Sequence, residues 1–309
     1  MSIMAPKLLF GDTIGIICPS HVPDPARHKR SIAVLQSLGF RVKLGENVYK
    51  DTYGYTASAE ERADDFNSMV TDKDIKMLLF GGGEGAAEIL PLIDYDAIKQ
   101  HPKLFSSYSD GTSILNVIHT QTGLVTYYGC MPGAFNDLRY YDWQQFLQHF
   151  VTDHESSVFN SDSKWKIING GKCEGKLLGG YLPLMGQLQG NQHFSFDRNE
   201  KYILFLEDYE KFSVVGAVAS YLAFVEQSPI MQNVVGVIFG HYSANPPDVL
   251  FECFERFVKR NNLPAVYTDD FGHGTKHAIF PIGMNAKLDV DAQTLEFVDE
   301  EMITVILKC

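Results

Sequence analysis

Ile75-Lys76-Met77-Leu78-Leu79-Phe80-Gly81-Gly82-Gly83-Glu84-Gly85 is the stretch from which the fold is read. Ile75–Phe80 is apolar apart from Lys76, as a strand buried on both faces requires. Four glycines then crowd into five residues, and a helix is predicted from there to about Lys99. Strand, tight loop and helix make one β-α unit. Working upstream, Thr13–Cys18 reads as a strand ended by Pro19 and Ser20. Pro25 to Leu38 reads as a helix stopped by Gly39, and Phe40–Leu44 as the next strand. Ser58–Val70 reads as a helix capped by Ser58, with Glu61 three residues on. Downstream, Leu104–Tyr108 reads as a strand and Gly111–Thr122 as a helix. Repeated β-α units predict a parallel sheet covered on both faces, so residues 1–150 are expected to form an α/β domain.

The texture changes near residue 150. Asp153 to Asp162 is polar and without period, so residues 151–164 read as a linker. Beyond it, Lys201–Leu206 and Val234–Phe239 are strong strand signals, and Val214–Val225 is an apolar helix signal between them. Ala286 to Leu307 alternates short strands and turns. A smaller, mixed α+β domain is expected over 165–309.

The bulk numbers exclude several classes of function. The chain has 309 residues, 45% hydrophobic and 21% charged, which is ordinary globular composition. A formal net charge of −12 repels phosphate backbones and anionic lipid, so neither nucleic acid nor a membrane surface is an expected partner. There is no apolar run of membrane-spanning length, and Met1 to Leu9 lacks the apolar core of a signal peptide. Cys18, Cys130, Cys173, Cys253 and Cys309 are scattered, with no CxxC pair. They read as reduced thiols of a cytoplasmic protein.

Ser107-Tyr108-Ser109-Asp110-Gly111 sits where a strand turns into a helix, and it is a relative of the G-x-S-x-G nucleophile elbow. Such a turn pushes one side chain out at the carboxyl end of a sheet and points the next N–H, that of Asp110, to where an oxyanion forms. The other reading is that Ser109 and Asp110 cap the helix. A serine nucleophile needs a base, and the base needs an orienting carboxylate. His273, between Gly272 and Gly274, suits an exposed catalytic loop; His241 is the substitute. Glu207 and Asp208 end a strand and are placed to orient a histidine, unless Asp208 serves as a helix cap. The glycine loop lacks the Lys and Ser/Thr of a P-loop, and its N–H groups are candidates for a second oxyanion donor or simply for a tight turn. His273 and His277 with Asp269 and Asp270 are spaced suggestively for zinc, but Gly274 interrupts and no HExxH glutamate is present. Neither metal nor cofactor is called for.

The ordered set of motifs resembles the LD-carboxypeptidase family of serine peptidases, which includes microcin C immunity peptidases. Gly11–Ile16 with Pro19-Ser20 resembles the family's opening strand. The glycine loop with Leu90-Pro91-Leu92-Ile93-Asp94-Tyr95 resembles "GGYG…LLPLLDY". Pro102–Phe105 leading into Tyr108–Thr112 resembles "NPKIFIGYSDIT", and Thr122–Gly129 resembles "TGLVTFHGP". Gly175–Gly180, Ile203–Asp208, Gly272-His273, Phe280–Gly283 and Leu288-Asp289 follow in the family's order.

The resemblance implies a flavodoxin-like or glutaminase-like N-terminal domain, a smaller C-terminal domain and a homodimer. It implies a triad of Ser109, Glu207 and His273 divided between the domains, with oxyanion donors at Asp110 and a glycine of the loop, Gly83 or Gly85. Tyr108, Tyr181 and Tyr209 are the accompanying candidates for substrate contact. The implied substrate is a muropeptide tetrapeptide that loses its terminal D-alanine in cell-wall recycling. A rival is a peptidyl or aminoacyl nucleotide, whose base needs an aromatic shelf from Trp165, Tyr181 or Tyr209. Further alternatives are a non-catalytic binding homologue and a glutaminase-like amide transfer enzyme, though the latter uses Cys at the elbow. The chain departs from the family pattern at Ser107 (Gly), Gly81 (often Arg) and Tyr181 (Asn), and it lacks the "DR" expected within Lys211–Val218.

Overall fold

The computed structural model describes residues 2–151, 158–298 and 303–304. Of the expected linker, residues 152–157 lie outside this description, as do 299–302 and 305–309 of the expected C-terminal strands and turns.

The strands of the first half are β1 (Ile3–Met4), β2 (Thr13–Ile17), β3 (Arg41–Leu44), β4 (Ile75–Phe80), β5 (Leu104–Ser107) and β6 (Thr126–Tyr128). The helices among them are α1 (Pro25–Ser37), α2 (Ala59–Thr71), α3 (Tyr95–Gln100) and α4 (Thr112–Thr122). Strands β6-β5-β4-β2-β3 lie side by side and parallel. Helix α2 opens with the expected capping box, Ser58 and Glu61 each satisfying the other's backbone N–H. Its inward face brings Phe66 onto the sheet, stacked 5.7 Å from Phe105.

The single helix expected to run to Lys99 is instead two pieces. A 3-10 helix spans Ala86–Leu92, and α3 begins after Asp94, whose carboxylate accepts the Ala97 N–H. Pro91 has no N–H to continue an α-helical ladder, and Asp94 offers a new start.

The second half contributes β7 (Lys166–Asn169), β8 (Lys172–Tyr181), β9 (Tyr202–Glu207), β10 (Val234–His241), β11 (Ala265–Gly272), β12 (Phe280–Ile282), β13 (Asn285–Asp289) and β14 (Thr294–Val298). The first half closes with α5 (Tyr140–Phe146), and the helices of the second are α6 (Leu182–Leu188), α7 (Val215–Glu226) and α8 (Asp248–Asn261). The second sheet is mixed, in the order β14-β13-β8-β9-β10-β11-β7, with β8 to β11 parallel at its centre. The chain is therefore a two-domain α/β protein.

One segment of the second half joins the first sheet. Phe280–Ile282 pairs antiparallel with β6 and covers an otherwise open edge. Phe280 is fully buried, stacked 4.7 Å from Phe205 and tilted against Phe271 at 4.5 Å, both of the second sheet. The two sheets thus share one hydrophobic core.

Candidate active site

Strands β4 and β5 are parallel neighbours, so the glycine loop and the Ser109 turn emerge side by side at their carboxyl ends. Ser109 has φ +54°, a left-handed conformation that costs a residue with a Cβ about 1–2 kcal/mol. Such strain persists only where the surroundings impose it. Here the Ser109 N–H donates to the Tyr128 hydroxyl at 3.0 Å, and the Thr112 hydroxyl donates to the Ser109 carbonyl at 2.6 Å. Gly82 lies against the serine so closely that a β-carbon on it would stand 2.6 Å from Ser109 Cβ.

Ser109 and Asp110 do not cap α4, which begins after Gly111 without a side-chain cap. The buried Asp110 carboxyl instead accepts the Ala86 N–H at 2.7 Å and so fastens the turn to the glycine loop. Burial raises its pKa above the ordinary carboxylate value, and the Ala86 bond opposes that rise. Ser107, which stands where the family has Gly, donates to the Phe80 carbonyl at 2.8 Å and ties β5 to β4.

Glu207 ends β9, and His273 follows β11. These strands flank β10 and run parallel to it, so both side chains reach the same edge of the second sheet. Gly272, with φ +106°, lets the chain pass: a β-carbon there would stand 2.8 Å from Glu207 Cβ. Glu207 Oε2 lies 2.7 Å from His273 Nδ1 and accepts the His273 backbone N–H at 3.2 Å. His273 Nε2 lies 3.2 Å from Ser109 Oγ. A carboxylate only accepts, so Nδ1 carries the proton and Nε2 is left to accept from the serine hydroxyl. The arrangement offers a nucleophile, a base and an orienting anion in sequence.

Tyr128 donates to Glu207 Oε1 at 2.6 Å. With that bond both oxygens of the buried carboxylate are engaged, and Glu207→Gln becomes informative. An amide cannot accept from both His273 and Tyr128. If its NH2 faces His273, the imidazole must carry its proton on Nε2 and cannot take one from Ser109. The expected result is a fall in kcat of about 10⁴-fold with the fold retained, measured by steady-state kinetics and circular dichroism. Activity within tenfold of wild type would remove Glu207 from the assignment.

Three tyrosine rings surround the imidazole: Tyr108 at 4.7 Å, Tyr181 at 5.0 Å and Tyr209 at 4.9 Å, the last stacked at 7°. Tyr108 is buried but lines the cavity beside Ser109, which Tyr181 and Tyr209 do not. Tyr181 is half-buried. Trp165 is buried, with its indole N–H on Ser161, and offers no shelf. His241 is turned to Asp269 at 3.0 Å, and His277 to Asp142 at 3.1 Å. Asp270 bonds Ser161 and Thr268. The histidines and aspartates considered for zinc thus face different partners, and no cluster of three or more potential metal ligands occurs among the described residues.

Asp208 is not a helix cap: α7 starts at Val215 without a side-chain cap. It is buried beside Glu207, and burial, more than its neighbour's charge, pushes it up to about 6. The unfolded chain releases this proton near pH 4, so between about pH 4 and 6 the native state binds more protons and stability falls as pH rises. The gap corresponds to about 2–3 kcal/mol of stability lost above pH 6. Asp208→Asn should therefore gain in Tm relative to wild type at pH 8 and show no such gain at pH 4. Equal differences at the two pH values would refute the account.

Sequence reasoning passed over Tyr128 and Arg62. Arg62 is buried on α2, where it donates to the Pro19 carbonyl at 2.6 Å and to the Gly85 carbonyl at 2.9 Å, and pairs with Glu88. It braces the glycine loop from behind. A β-carbon on Gly85 would meet Arg62 and Tyr55. Gly82 and Gly83 line the cavity of about 360 Å³ beside Ser109, together with His21, Arg27 and Asn136. Gly83 and Gly85 both stay candidate oxyanion donors.

Among the described residues no helix is long and apolar enough to cross a membrane. The family models for the LD-carboxypeptidase N-terminal and C-terminal domains match residues 14–129 and 174–288. A probable murein peptide carboxypeptidase of Bacillus subtilis is 30% identical, over 94% of this chain and 92% of its own length. The microcin C7 self-immunity protein MccF of Escherichia coli is 25% identical, over 98% and 97%. The crystal structure of an MccF-like protein from Bacillus anthracis superposes with a TM-score of 0.86 at 25% identity, covering 97% of this chain and all (100%) of that one. The chain belongs to the LD-carboxypeptidase family, a family of peptidases.

Proposed function

We propose that this chain is a serine carboxypeptidase that hydrolyses an LD amide bond, releasing the terminal D-alanine of muropeptide tetrapeptides in the cytoplasm. The observation that carries this reading is the 3.2 Å approach of His273 Nε2 to the hydroxyl of a serine held at φ +54°, with Glu207 2.7 Å behind the imidazole. The B. subtilis relative supports the substrate class.

Ser109 Oγ attacks the amide carbonyl as its proton passes to His273 Nε2, and Glu207 stabilises the imidazolium that results. The N–H groups of Asp110 and Gly83 receive the oxyanion. The C–N bond then breaks as His273 returns the proton to the leaving amine. Water, deprotonated by His273, attacks the acyl-serine and releases the acid. We place the leaving residue in the cavity beside Ser109, where Arg27 meets its carboxylate. Tyr108, Tyr181 and Tyr209 are its further contacts, and the working unit is a homodimer.

A second reading, cleavage of peptidyl or aminoacyl nucleotides, is favoured by the full-length similarity to the microcin self-immunity protein. Tyr181 or Tyr209 would then carry the base. D-alanine release from a tetrapeptide, measured for wild type and Ser109→Ala, separates the readings. Ser109-dependent release supports the first. A wild type that reacts with a serine-directed phosphonate yet releases no D-alanine supports the second.

A further inference from the structure

We propose that the Tyr128 hydroxyl is a positioning group for the reaction, one that holds the nucleophile and the orienting carboxylate in a common register. This rests on the reading of Ser109 as nucleophile and adds a fourth side chain to it.

Tyr128 is the last residue of β6, fully buried, its ring held 5.6 Å from Tyr108 and 5.8 Å from Phe205. Its oxygen touches two parts of the site at once. It accepts the Ser109 N–H at 3.0 Å and donates to Glu207 Oε1 at 2.6 Å. The polarity of this relay has one solution. The Ser109 N–H can only donate, and the carboxylate can only accept, so the phenolic hydrogen points to Glu207. Burial and the Glu207 charge both raise the phenol's pKa well above its usual value, which keeps that hydrogen in place. Each bond in such a chain strengthens the next.

Two consequences follow. The Ser109 N–H is committed to Tyr128, so the oxyanion must be received by Asp110 and the glycine loop and not by the nucleophile's own N–H. In addition, one oxygen links the backbone of the strained serine, on the first sheet, to the anion that orients His273, on the second. Joining the sheets does not require this bond. Asn116 already donates to the Gly179 carbonyl at 2.8 Å, the Tyr181 N–H donates to Thr112 at 2.9 Å, and Phe280 spans the core. What Tyr128 adds is alignment of the reacting groups.

The test is Tyr128→Phe, which keeps the ring and removes both bonds. Its kcat on the tetrapeptide should fall about 10- to 100-fold, as for a misplacement of reacting atoms, and its labelling by a serine-directed fluorophosphonate should slow in parallel. KM should stay within about twofold, because uniform substrate binding is untouched. Phe205→Leu is the control: it loosens the packing on the same ring and leaves the hydroxyl, so it should lower Tm and keep kcat within about threefold. Tyr128→Phe with wild-type kcat and a lowered Tm would overturn the proposal, as would an equal loss of kcat in Phe205→Leu. Should Tyr128→Phe not fold, 3-fluorotyrosine at position 128 keeps the shape and weakens the oxygen as an acceptor. A reduced kcat supports the role, and an unchanged one overturns it. A wild type that neither turns over nor labels would sink the reading of Ser109 itself, and this inference with it. Ser109-dependent activity indifferent to Tyr128 would sink the inference alone.

Discussion

Ser109→Ala should lower kcat by about 10⁵- to 10⁶-fold while the protein remains folded. The loss is this large because the serine oxygen forms the bond that the rest of the site serves. What remains would be the contribution of the oxyanion donors and of binding. The same position makes a second, independent statement about stability. At φ +54° a β-carbon is strained, so Ser109→Gly, which removes the same hydroxyl, should be more stable than Ser109→Ala by about 1 kcal/mol. Paired denaturant melts measure this. Activity in either variant near that of wild type would remove Ser109 as nucleophile. A Gly variant less stable than the Ala variant would mean that the turn is not strained as described.

His273→Ala is expected to be as damaging as loss of the serine, about 10⁵- to 10⁶-fold in kcat, because nucleophile and base act as one unit. His241→Ala is its control. His241 emerges from the next strand and lay open as a substitute base, yet its Nδ1 is engaged with Asp269, which also accepts from Tyr267 at 2.6 Å. Its removal should leave kcat within about threefold. The opposite pattern, with His241→Ala inactive and His273→Ala active, would reassign the base. The double variant Ser109→Ala/His273→Ala should be hardly worse than either single one, the signature of a shared step.

The elements written into local sequence were the ones that could be read. The apolar run Ile75–Phe80 forms the strand it suggests, and Ser58 with Glu61 forms the capping box. Both depend on interactions within a few residues. The helix expected to run from the glycine loop to Lys99 is broken because Pro91 and Asp94 interrupt it, although the apolar periodicity carries across them. For the site, the Ser-Tyr-Ser-Asp-Gly turn was legible because a strand-to-helix elbow has a local signature. Choosing His273 over His241 from local sequence was a weaker matter, since both follow strands. A glycine precedes each of them, Gly240 and Gly272, and a β-carbon on either would crowd Glu207; what separates the two is where the rings turn, His273 to Glu207 and His241 to Asp269.

The sequence by itself therefore determined the β-α rhythm of the first half, the elbow, the glycine loop beside it and the carboxylate-ended strand. Each is a pattern of burial period, turn chemistry and capping within one stretch of chain. Tertiary structure alone decided the rest. It brought His273 to Ser109 across 164 residues and Tyr128 to Glu207 across 79. It set Arg62 behind the glycine loop, and it turned Phe280–Ile282 back onto the first sheet. Those contacts join residues whose immediate neighbours carry no trace of one another. A tyrosine at a strand end looks the same in sequence whether its hydroxyl meets solvent or the anion of an active site, and only the packing of two sheets on a shared core makes the difference.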